Sequence, residues 1–272
     1  MFRWIVTFLW MLLLSGCGVP RSTDQFFSTP EAQFAQSAVR QLASGDVAAV
    51  EALLDDRIRQ SQVGDEIRRV AAMLPTTEPT HVEPVDWRFF QQASLSEGGS
   101  STRTTRVAIE YTFASGPPTA PAARWVVATV TLSGEAGAFR ILGLHVEPLP
   151  APLSELNALS LKDKGAIHYV FAVLAIASAA LCLFAFIRCL RTRGLKRKWL
   201  WCLLTLVGVC SISLSWEQGS VSFQLLYVGF LGAGLSRVGW LGPWTMSIMV
   251  PIGAIVFLLS ERQSTLPVEK QG

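Results

Sequence analysis

The sequence has little of what a catalytic or metal site needs. Its three histidines, His81, His145 and His168, are too widely spaced to place two metal ligands on one helix. Neither a Gly-x-Ser-x-Gly elbow nor a phosphate-binding glycine loop occurs. Of the five cysteines, none lies between residues 18 and 164, which excludes a disulfide framework there. We therefore expect no enzyme activity, no metal and no cofactor.

Charge is absent where the chain is most apolar. Ile167 to Ile187 is a run of 21 residues without Asp, Glu, Lys or Arg. At about 1.5 Å per residue, a helix of this length crosses a bilayer core of about 30 Å. No charged side chain falls at mid-depth of this or the later apolar runs, whereas ion pathways and proton relays use such groups. We therefore do not expect this chain to transport solutes by itself.

The charges that are present are divided unevenly. Between residues 165 and 260, seven basic residues stand against Glu217 alone. Six of the seven form one short basic loop: Arg188, Arg191, Arg193, Lys196, Arg197 and Lys198. The positive-inside rule places this loop in the cytoplasm and the preceding domain outside it. Because topology explains these residues, nucleic acid is not an expected partner.

Two more apolar runs, 199–216 and 241–259, predict further membrane helices, so that the membrane domain covers 167–260. The stretch from 220 to 236 begins with apolar residues that alternate with polar ones, and it contains three glycines. This pattern favours a hairpin or an interfacial segment. A short fourth helix is the alternative. Three crossings leave the tail at 261–272 in the cytoplasm, and four leave it outside.

Residues 29–150 predict an extracytoplasmic α+β domain. Thr29 and Pro30 are typical of a helix start, and Gly45 followed by Asp46 is typical of a stop and a new cap. From residue 81 the apolar period becomes two, which indicates about four antiparallel strands. Helices followed by strands predict helices packed on one face of a sheet. A linker at 151–166 then leads to the membrane domain.

The N-terminus has the layout of an export signal over 1–16: a positive Arg3, an apolar stretch and then small residues. Here the chain resembles bacterial lipoproteins, whose lipobox is matched by Leu14, Ser15, Gly16 and Cys17. The resemblance implies cleavage after Gly16 and lipid attachment, with fatty acyl chains such as palmitate, at Cys17. Residues 17–28 are then a tether.

Residues 29–148 resemble the NTF2-like superfamily, whose domains are cone-shaped. The motif consists of Leu42-Ala43-Ser44-Gly45-Asp46, then Leu53-Leu54-Asp55, and the closing strand Phe139-Arg140-Ile141-Leu142. The resemblance implies a pocket lined by the inner face of the sheet. The candidate lining residues are His145, Tyr111 and Trp125.

Residues 199–259 resemble a bacterial multi-pass membrane family to which no activity is assigned. The likeness lies in Trp216, Ser222-Phe223-Gln224, Gly242-Pro243-Trp244 and Pro251-Ile252-Gly253-Ala254.

These features predict a lipoprotein of the bacterial cytoplasmic membrane with its soluble domain on the periplasmic side. Its expected function is non-catalytic: binding, docking or sensing within an envelope assembly, with the lipid bilayer and an envelope protein as partners. One alternative is an NTF2-like small-ligand binder or enzyme. Another is an accessory subunit of a transporter.

Overall fold

The computed structural model describes residues 22–59, 63–93, 101–117, 124–134, 138–162 and 164–265. The described chain divides into two compact units. The first unit runs to Leu156 and includes the short segment Gly239–Gly242, and the second unit comprises Asn157–Val238 and the chain from Pro243 onward. The predicted lipobox, including Gly16 and Cys17, lies outside the described residues.

The described part of the first unit begins with four helices: α1 (Thr23–Phe27), α2 (Pro30–Ala43), α3 (Val47–Leu53) and α4 (Val63–Ala71). The Thr29 hydroxyl accepts a hydrogen bond from the amide of Ala32, and Pro30 occupies the first turn of α2. Gly45, at φ +74°, follows the end of this helix, and the Asp46 side chain caps α3. Each such cap stabilises a helix by about 1 kcal/mol, and the predicted starts of both helices are confirmed.

Four antiparallel strands follow: β1 (His81–Ala93), β2 (Ser101–Thr112), β3 (Trp125–Ser133) and β4 (Arg140–Leu149). They lie in sequence order, each paired with the next along the chain. One face of this sheet carries the buried Val107, Ile109, Val126 and Val130, which form a single core with residues of α2 such as Leu42. The α+β class is therefore confirmed for this unit, but the structure does not support the more specific NTF2-like cone.

The segment Gly239–Gly242 completes the first unit. A register shift in β1 between Pro84 and Asp86 leaves the carbonyl of Val85 available, and it accepts a hydrogen bond of 2.8 Å from the Trp240 amide. The Trp240 ring meets Phe26 edge to face, with ring centroids 5.3 Å apart. These contacts place Trp240 beside the core of the first unit.

The second unit contains the helices α6 (Ala166–Arg191), α7 (Lys198–Thr205) and α8 (Ile252–Thr265), after a short α5 (Leu153–Leu156) that ends the first unit. Its four strands are β5 (Val207–Ser215), β6 (Val221–Phe230), β7 (Ala233–Arg237) and β8 (Trp244–Val250). They form a second antiparallel sheet in the order β6-β5-β8-β7.

The described residues of the second unit do not support three or four transmembrane helices. The prediction of one helix at 199–216 is wrong, because these residues form the short α7 and then the strand β5. The helix at 241–259 is also wrong: its first part is β8, and α8 begins only after Pro251. The predicted run at 167–187 lies within α6, the one described helix that is long and apolar enough to cross a membrane by length and composition.

The predicted hairpin at 220–236 is wrong in its pairing, although both of its arms are strands. β6 and β7 follow one another after two residues, yet they lie at opposite edges of the sheet. The chain makes this crossing at Gly232, which has φ +66° and approaches Ser178 so closely that a Cβ atom would overlap its hydroxyl. Only glycine fits both requirements.

Candidate functional site

Among the three predicted pocket residues, Tyr111 lines a cavity in the described part of the first unit. It lies on the core face of β2, and its side chain is 5% exposed. Trp125 pairs with Thr112 and Leu149, which places it on the opposite face of the sheet. His145 is exposed on that same opposite face, so Trp125 and His145 do not share the face on which Tyr111 lines its cavity.

The position of His145 has a local cause. In an uninterrupted strand His145 would lie on the same face as Ile141, which is fully buried. The pairing of β3 with β4 shifts register between Thr131 and Leu132, whose partners are Gly143 and Ile141. The unpaired Leu142 reverses the alternation, because a one-residue insertion moves every later side chain to the other face. Val146 therefore points to the core and His145 does not.

The cavity beside Tyr111 has a volume of about 510 Å³, within the range of small-molecule sites of about 300–1,000 Å³. It lies between the C-terminal half of α2, the loop before β1, and the two strands β1 and β2. Its lining combines one cation, one carboxylate, uncharged polar groups and apolar surface: Gln36, Arg40, Ala43, Ser44, Thr76, Thr77, Glu78, Pro79, Val82 and Tyr111.

The Tyr111 hydroxyl is the buried polar group of this cavity. Among the described residues it has no hydrogen-bond partner. Burial raises the pKa of its phenol well above the usual range, an effect that the positive charge of Arg40 opposes. The hydroxyl therefore keeps its proton at neutral pH. A buried donor without a partner costs about 1–3 kcal/mol, and this oxygen is almost completely enclosed by protein.

The other face of the first sheet carries a second set of titratable groups. Glu110 is buried there, and its carboxylate accepts a hydrogen bond of 2.7 Å from the amide of Leu153 at the start of α5. Burial has the largest effect and raises the pKa of Glu110, and the negative charge of Glu83 raises it further. The hydrogen bond from the Leu153 amide and the interaction with His81 lower this pKa. Within the described residues no group of three or more side chains could hold a metal ion. We read Glu110 as a structural cap for α5.

In the second unit, one stripe of α6 is buried: His168, Phe171, Ala175, Cys182, Ala185 and Cys189. The remaining surface of this helix exposes large apolar side chains such as Val173, Ile176 and Phe184. The buried stripe packs on the rest of the unit. Ser178, halfway along α6, donates to the carbonyl of Met249 on β8, whereas α7 and α8 pack beside the later Cys182, Ala185 and Cys189.

The two ends of α6 differ in chemistry. At its start, Nε2 of the buried His168 ring lies 3.1 Å from the carbonyl oxygen of Trp216. The Nε1 of Trp216 in turn donates a hydrogen bond to the carbonyl of Ser160. Lys164 pairs with Glu217 at 3.3 Å nearby. At its end, Arg188 and Arg191 lie in the last turn, and the exposed Arg193, Lys196 and Arg197 follow, with Lys198 half-buried at the start of α7. The six predicted topology determinants thus gather at one end of the apolar helix.

Sequence reasoning missed the arrangement of His168 and Trp216. The two rings stack edge to face, 5.2 Å apart, although 48 positions separate them in the chain. Trp216 was assigned to the end of a helix, so no contact with α6 was expected. The signal that was available is the aromatic and polar composition at a membrane interface, where tryptophan is favoured.

The most exposed apolar element of the second unit is β6. Every residue of this strand is exposed except Gly229, which is half-buried. β6 is an edge strand, and its register with β5 shifts where the three residues Leu225, Leu226 and Tyr227 stand against Cys210 alone. The Leu226 side chain at the centre of this bulge is fully exposed. Such an edge strand combines apolar side chains with backbone N–H and C=O groups that no neighbouring strand pairs.

No family model matches the chain, and neither a curated protein nor a solved structure matches it. The resemblances to lipoproteins, to NTF2-like domains and to a multi-pass membrane family therefore stay predictions.

Proposed function

We propose that this protein is a non-catalytic lipoprotein of the bacterial cytoplasmic membrane, whose second unit docks onto another membrane protein of an envelope assembly. In this proposal α6 crosses the bilayer, its basic end lies in the cytoplasm, and the first unit is periplasmic. The single observation that carries the proposal is the surface of β6, which is apolar and exposed along nearly its whole length.

The contacts of α6 set the depth of the second sheet in this proposal. Met249 and Gly232 contact Ser178, which stands near the middle of the 26-residue α6. If α6 crosses the membrane, these residues of the second sheet and its crossover lie close to mid-depth. His168 and Trp216 then lie near the outer interface, in keeping with the preference of tryptophan for that region. The buried core formed around Cys182, Ala185 and Phe257 lies toward the inner interface.

The choice between lipid and protein around β6 follows from its backbone. Lipid chains can cover Phe223, Leu226 and Val228 as well as any protein could. They offer no hydrogen-bond partners, however, and each open backbone group in hydrocarbon costs several kcal/mol. A protein partner covers the side chains and also provides donors and acceptors for the edge and for the bulge at Leu226. We therefore assign the surface of β6 to a protein partner.

The lipid at Cys17 adds a second point of attachment to this proposal. A single acyl chain binds membranes only marginally, and a transmembrane helix is inserted almost irreversibly, so the lipid is not needed for anchoring. The dozen residues from Cys17 to Thr29 span at most about 40 Å when extended. The lipid would therefore limit the height and orientation of the periplasmic unit, which suits docking or sensing.

Photo-cross-linking in cells tests the docking surface. p-Benzoylphenylalanine is placed at Leu226 and, as a matched control, at Ile176, an exposed apolar residue of α6. We expect a discrete protein adduct from position 226 and none from position 176. Equal labelling at both positions, or adducts to lipid alone at 226, would contradict the docking proposal.

Mass spectrometry tests the lipid. The mature wild-type protein is expected to begin at Cys17 and to carry the acyl groups, whereas Cys17→Ser is expected to remain in the membrane through α6 without them. An unmodified Cys17 in the mature protein would remove the lipoprotein part of the proposal and leave the cross-linking test unaffected.

The cavity beside Tyr111 favours a second candidate function. In this alternative the first unit binds a small ligand, as the NTF2-like resemblance implies, and the second unit only holds it at the membrane. Binding and docking are compatible, because they use different units of the chain.

A further inference from the structure

Two cysteine side chains meet where the chain passes from α6 to α7. The sulfur of Cys189, in the last turn of α6, lies 3.2 Å from the sulfur of Cys202 on α7, although 13 positions separate the two residues in the chain. We propose that Cys189 and Cys202 are a reversible dithiol–disulfide pair, which exchanges with low-molecular-weight thiols and disulfides. The pair lies within the second unit, and its chemistry does not depend on docking by β6.

A bond between the two sulfur atoms requires little movement. The S–S length of a disulfide is about 2.05 Å, so the two sulfurs need to approach by only about 1 Å. Both side chains belong to one packed cluster with Ala185 and Phe257. The Cys189 thiol also contacts the carbonyl oxygen of Lys198, at 3.9 Å. The packing of α6, α7 and α8 therefore brings the two thiols together before any reagent reaches them.

The two residues differ in exposure, which gives them different roles. Cys189 is fully buried, whereas Cys202 is half-buried. A small disulfide therefore meets Cys202 first: the Cys202 sulfur attacks one sulfur of the reagent, which forms a mixed disulfide and releases one thiol. Cys189 then attacks the Cys202 sulfur, which forms the intramolecular disulfide and releases the second thiol. Two protein thiols are oxidised, one small disulfide is reduced to two thiols, and the proton of each attacking thiol passes to a leaving sulfur.

Metal binding is the other chemistry that neighbouring thiols suggest. A structural zinc ion takes four ligands, and within the described residues no group of three or more His, Cys, Asp or Glu side chains could hold a metal ion. Cys182, the third cysteine of the same cluster, precedes Cys189 by two helical turns, which is about 10 Å at about 1.5 Å per residue. The donor set therefore fits a disulfide better than a metal ion.

The basic loop gives the pair a resting state and a consequence. In the proposed topology this loop is cytoplasmic, and there small thiols keep cysteines reduced and disulfides are transient. This resting state is the one part of the inference that rests on the proposed function. Five of the six basic residues of the loop lie between Cys189 and Cys202 in the sequence. Oxidation joins the end of α6 to α7 and thereby restrains this basic segment.

Exchange with oxidised glutathione tests the inference on the purified full chain in nanodiscs. The protein is first reduced, then incubated at a series of ratios of oxidised to reduced glutathione. Remaining thiols are trapped with N-ethylmaleimide, and mass spectrometry of peptides locates each disulfide and each glutathione adduct. In the wild type we expect the Cys189–Cys202 disulfide without an accumulated adduct, and we expect excess reduced glutathione to reopen it.

Three serine variants separate the roles of the thiols. Cys189→Ser is expected to accumulate the glutathione adduct at Cys202, at least tenfold above the wild type, because the second step of the exchange is missing. Cys202→Ser leaves the buried Cys189 and is expected to form its adduct at least tenfold more slowly. Cys210→Ser removes another half-buried cysteine of the same unit and is expected to leave the disulfide unchanged. Circular dichroism of each variant verifies that the fold is intact.

Each outcome supports or overturns the pair. A reversible disulfide in the wild type, with the adduct trapped in Cys189→Ser, supports the inference. An adduct at Cys202 of the wild type without the disulfide would show that Cys189 does not complete the exchange, and would overturn it. No reaction of either cysteine, or a disulfide that reduced glutathione does not reopen, would overturn it as well. Cross-linking at Leu226 reads a different surface, so the docking proposal stands or falls separately.

Discussion

The two four-stranded sheets of this chain place their apolar residues differently. In the first sheet, β3 alternates between the buried Val126 and Val130, which share a core with the helices, and the half-buried Thr129 on the other face. In the second sheet, β6 exposes apolar residues on both of its faces. A sheet with one buried face and one more polar face is suited to water, whereas an edge strand that exposes apolar residues on both faces is suited to lipid or to a protein partner. In the proposed arrangement, the first unit lies in water and β6 lies in the membrane.

A matched pair of leucines tests this comparison with the largest expected effect. Leu132 is buried in the first core and Leu226 is fully exposed on β6. We expect Leu132→Ala to lower the free energy of unfolding of the first unit by about 4 kcal/mol, through lost burial and the cavity that remains. Leu226→Ala is expected to change the stability of the second unit by less than about 0.5 kcal/mol.

Hydrogen–deuterium exchange of peptides from each unit, in nanodiscs, measures both values. A large loss of protection in the second unit of Leu226→Ala would show that this side chain packs inside its own unit, and would break the contrast between the sheets.

A matched pair of glycines gives a smaller effect. Gly45 and Gly232 both have positive φ, but a Cβ atom meets nothing within 4 Å at Gly45, whereas at Gly232 it overlaps the Ser178 hydroxyl. Gly45→Ala is expected to destabilise the first unit by about 1 kcal/mol, from backbone strain alone. Gly232→Ala adds overpacking and is expected to destabilise the second unit by about 2–3 kcal/mol. Equal losses in the same exchange experiment would contradict the close crossing of β6 to β7 over α6.

Two acidic residues of the first unit, Asp55 and Glu110, contribute to its stability with opposite dependences on pH. Hydrogen bonds from the Arg57 side chain and from Ser133 hold the pKa of Asp55 well below its usual range. Asp55 therefore stabilises the unit above the unfolded pKa of about 4, and this stability is lost as the pH falls toward the lower folded pKa. Asp55→Asn is expected to remove this part of the acid sensitivity, measured as the slope of the unfolding midpoint against pH below 5.

Glu110 is expected to have the smallest effect. Because burial raises its pKa, its contribution is most favourable below the unfolded pKa and declines as the pH rises through the folded pKa. Glu110→Gln keeps an acceptor for the Leu153 amide and is expected to remove this decline, measured as the unfolding midpoint between pH 4 and 8. A variant that instead loses stability at pH 7 would show that the ionised carboxylate is favourable in this position.

Local signals in the sequence were sufficient for the first unit. The caps at Thr29 and Asp46 and the alternation along β3 depend on neighbouring residues, and all of them are found in the structure. β2 is also a strand, but its residues from Val107 to Tyr111 are buried on both faces. What the sequence did not disclose was the register shift opposite Leu142, which moves His145 away from the core. A bulge depends on the pairing of two strands, so no window of one strand contains it.

The second unit was mispredicted because hydropathy averages over the alternation that it contains. In β5 the serines 211, 213 and 215 alternate with Ile212 and Leu214, and in β8 Thr245 and Ser247 alternate with Met246 and Ile248. The mean hydropathy over a window of helix length remains apolar, so both segments have the hydropathy that is typical of membrane helices. The period of two was the stronger signal. It is present at 220–236 and also in the flanking strands β5 and β8.

The most direct test of the account is the depth of β6 in the membrane. A nitroxide side chain is attached through p-acetylphenylalanine at position 226 of the purified full chain in nanodiscs, and a second is attached at Arg106, an exposed residue of the first unit. Collision rates with oxygen and with a water-soluble nickel chelate are measured by electron paramagnetic resonance. The account predicts frequent oxygen collisions and few nickel collisions at 226, with the reverse at 106. Frequent nickel collisions at both positions would place β6 in water and contradict its assignment to the membrane.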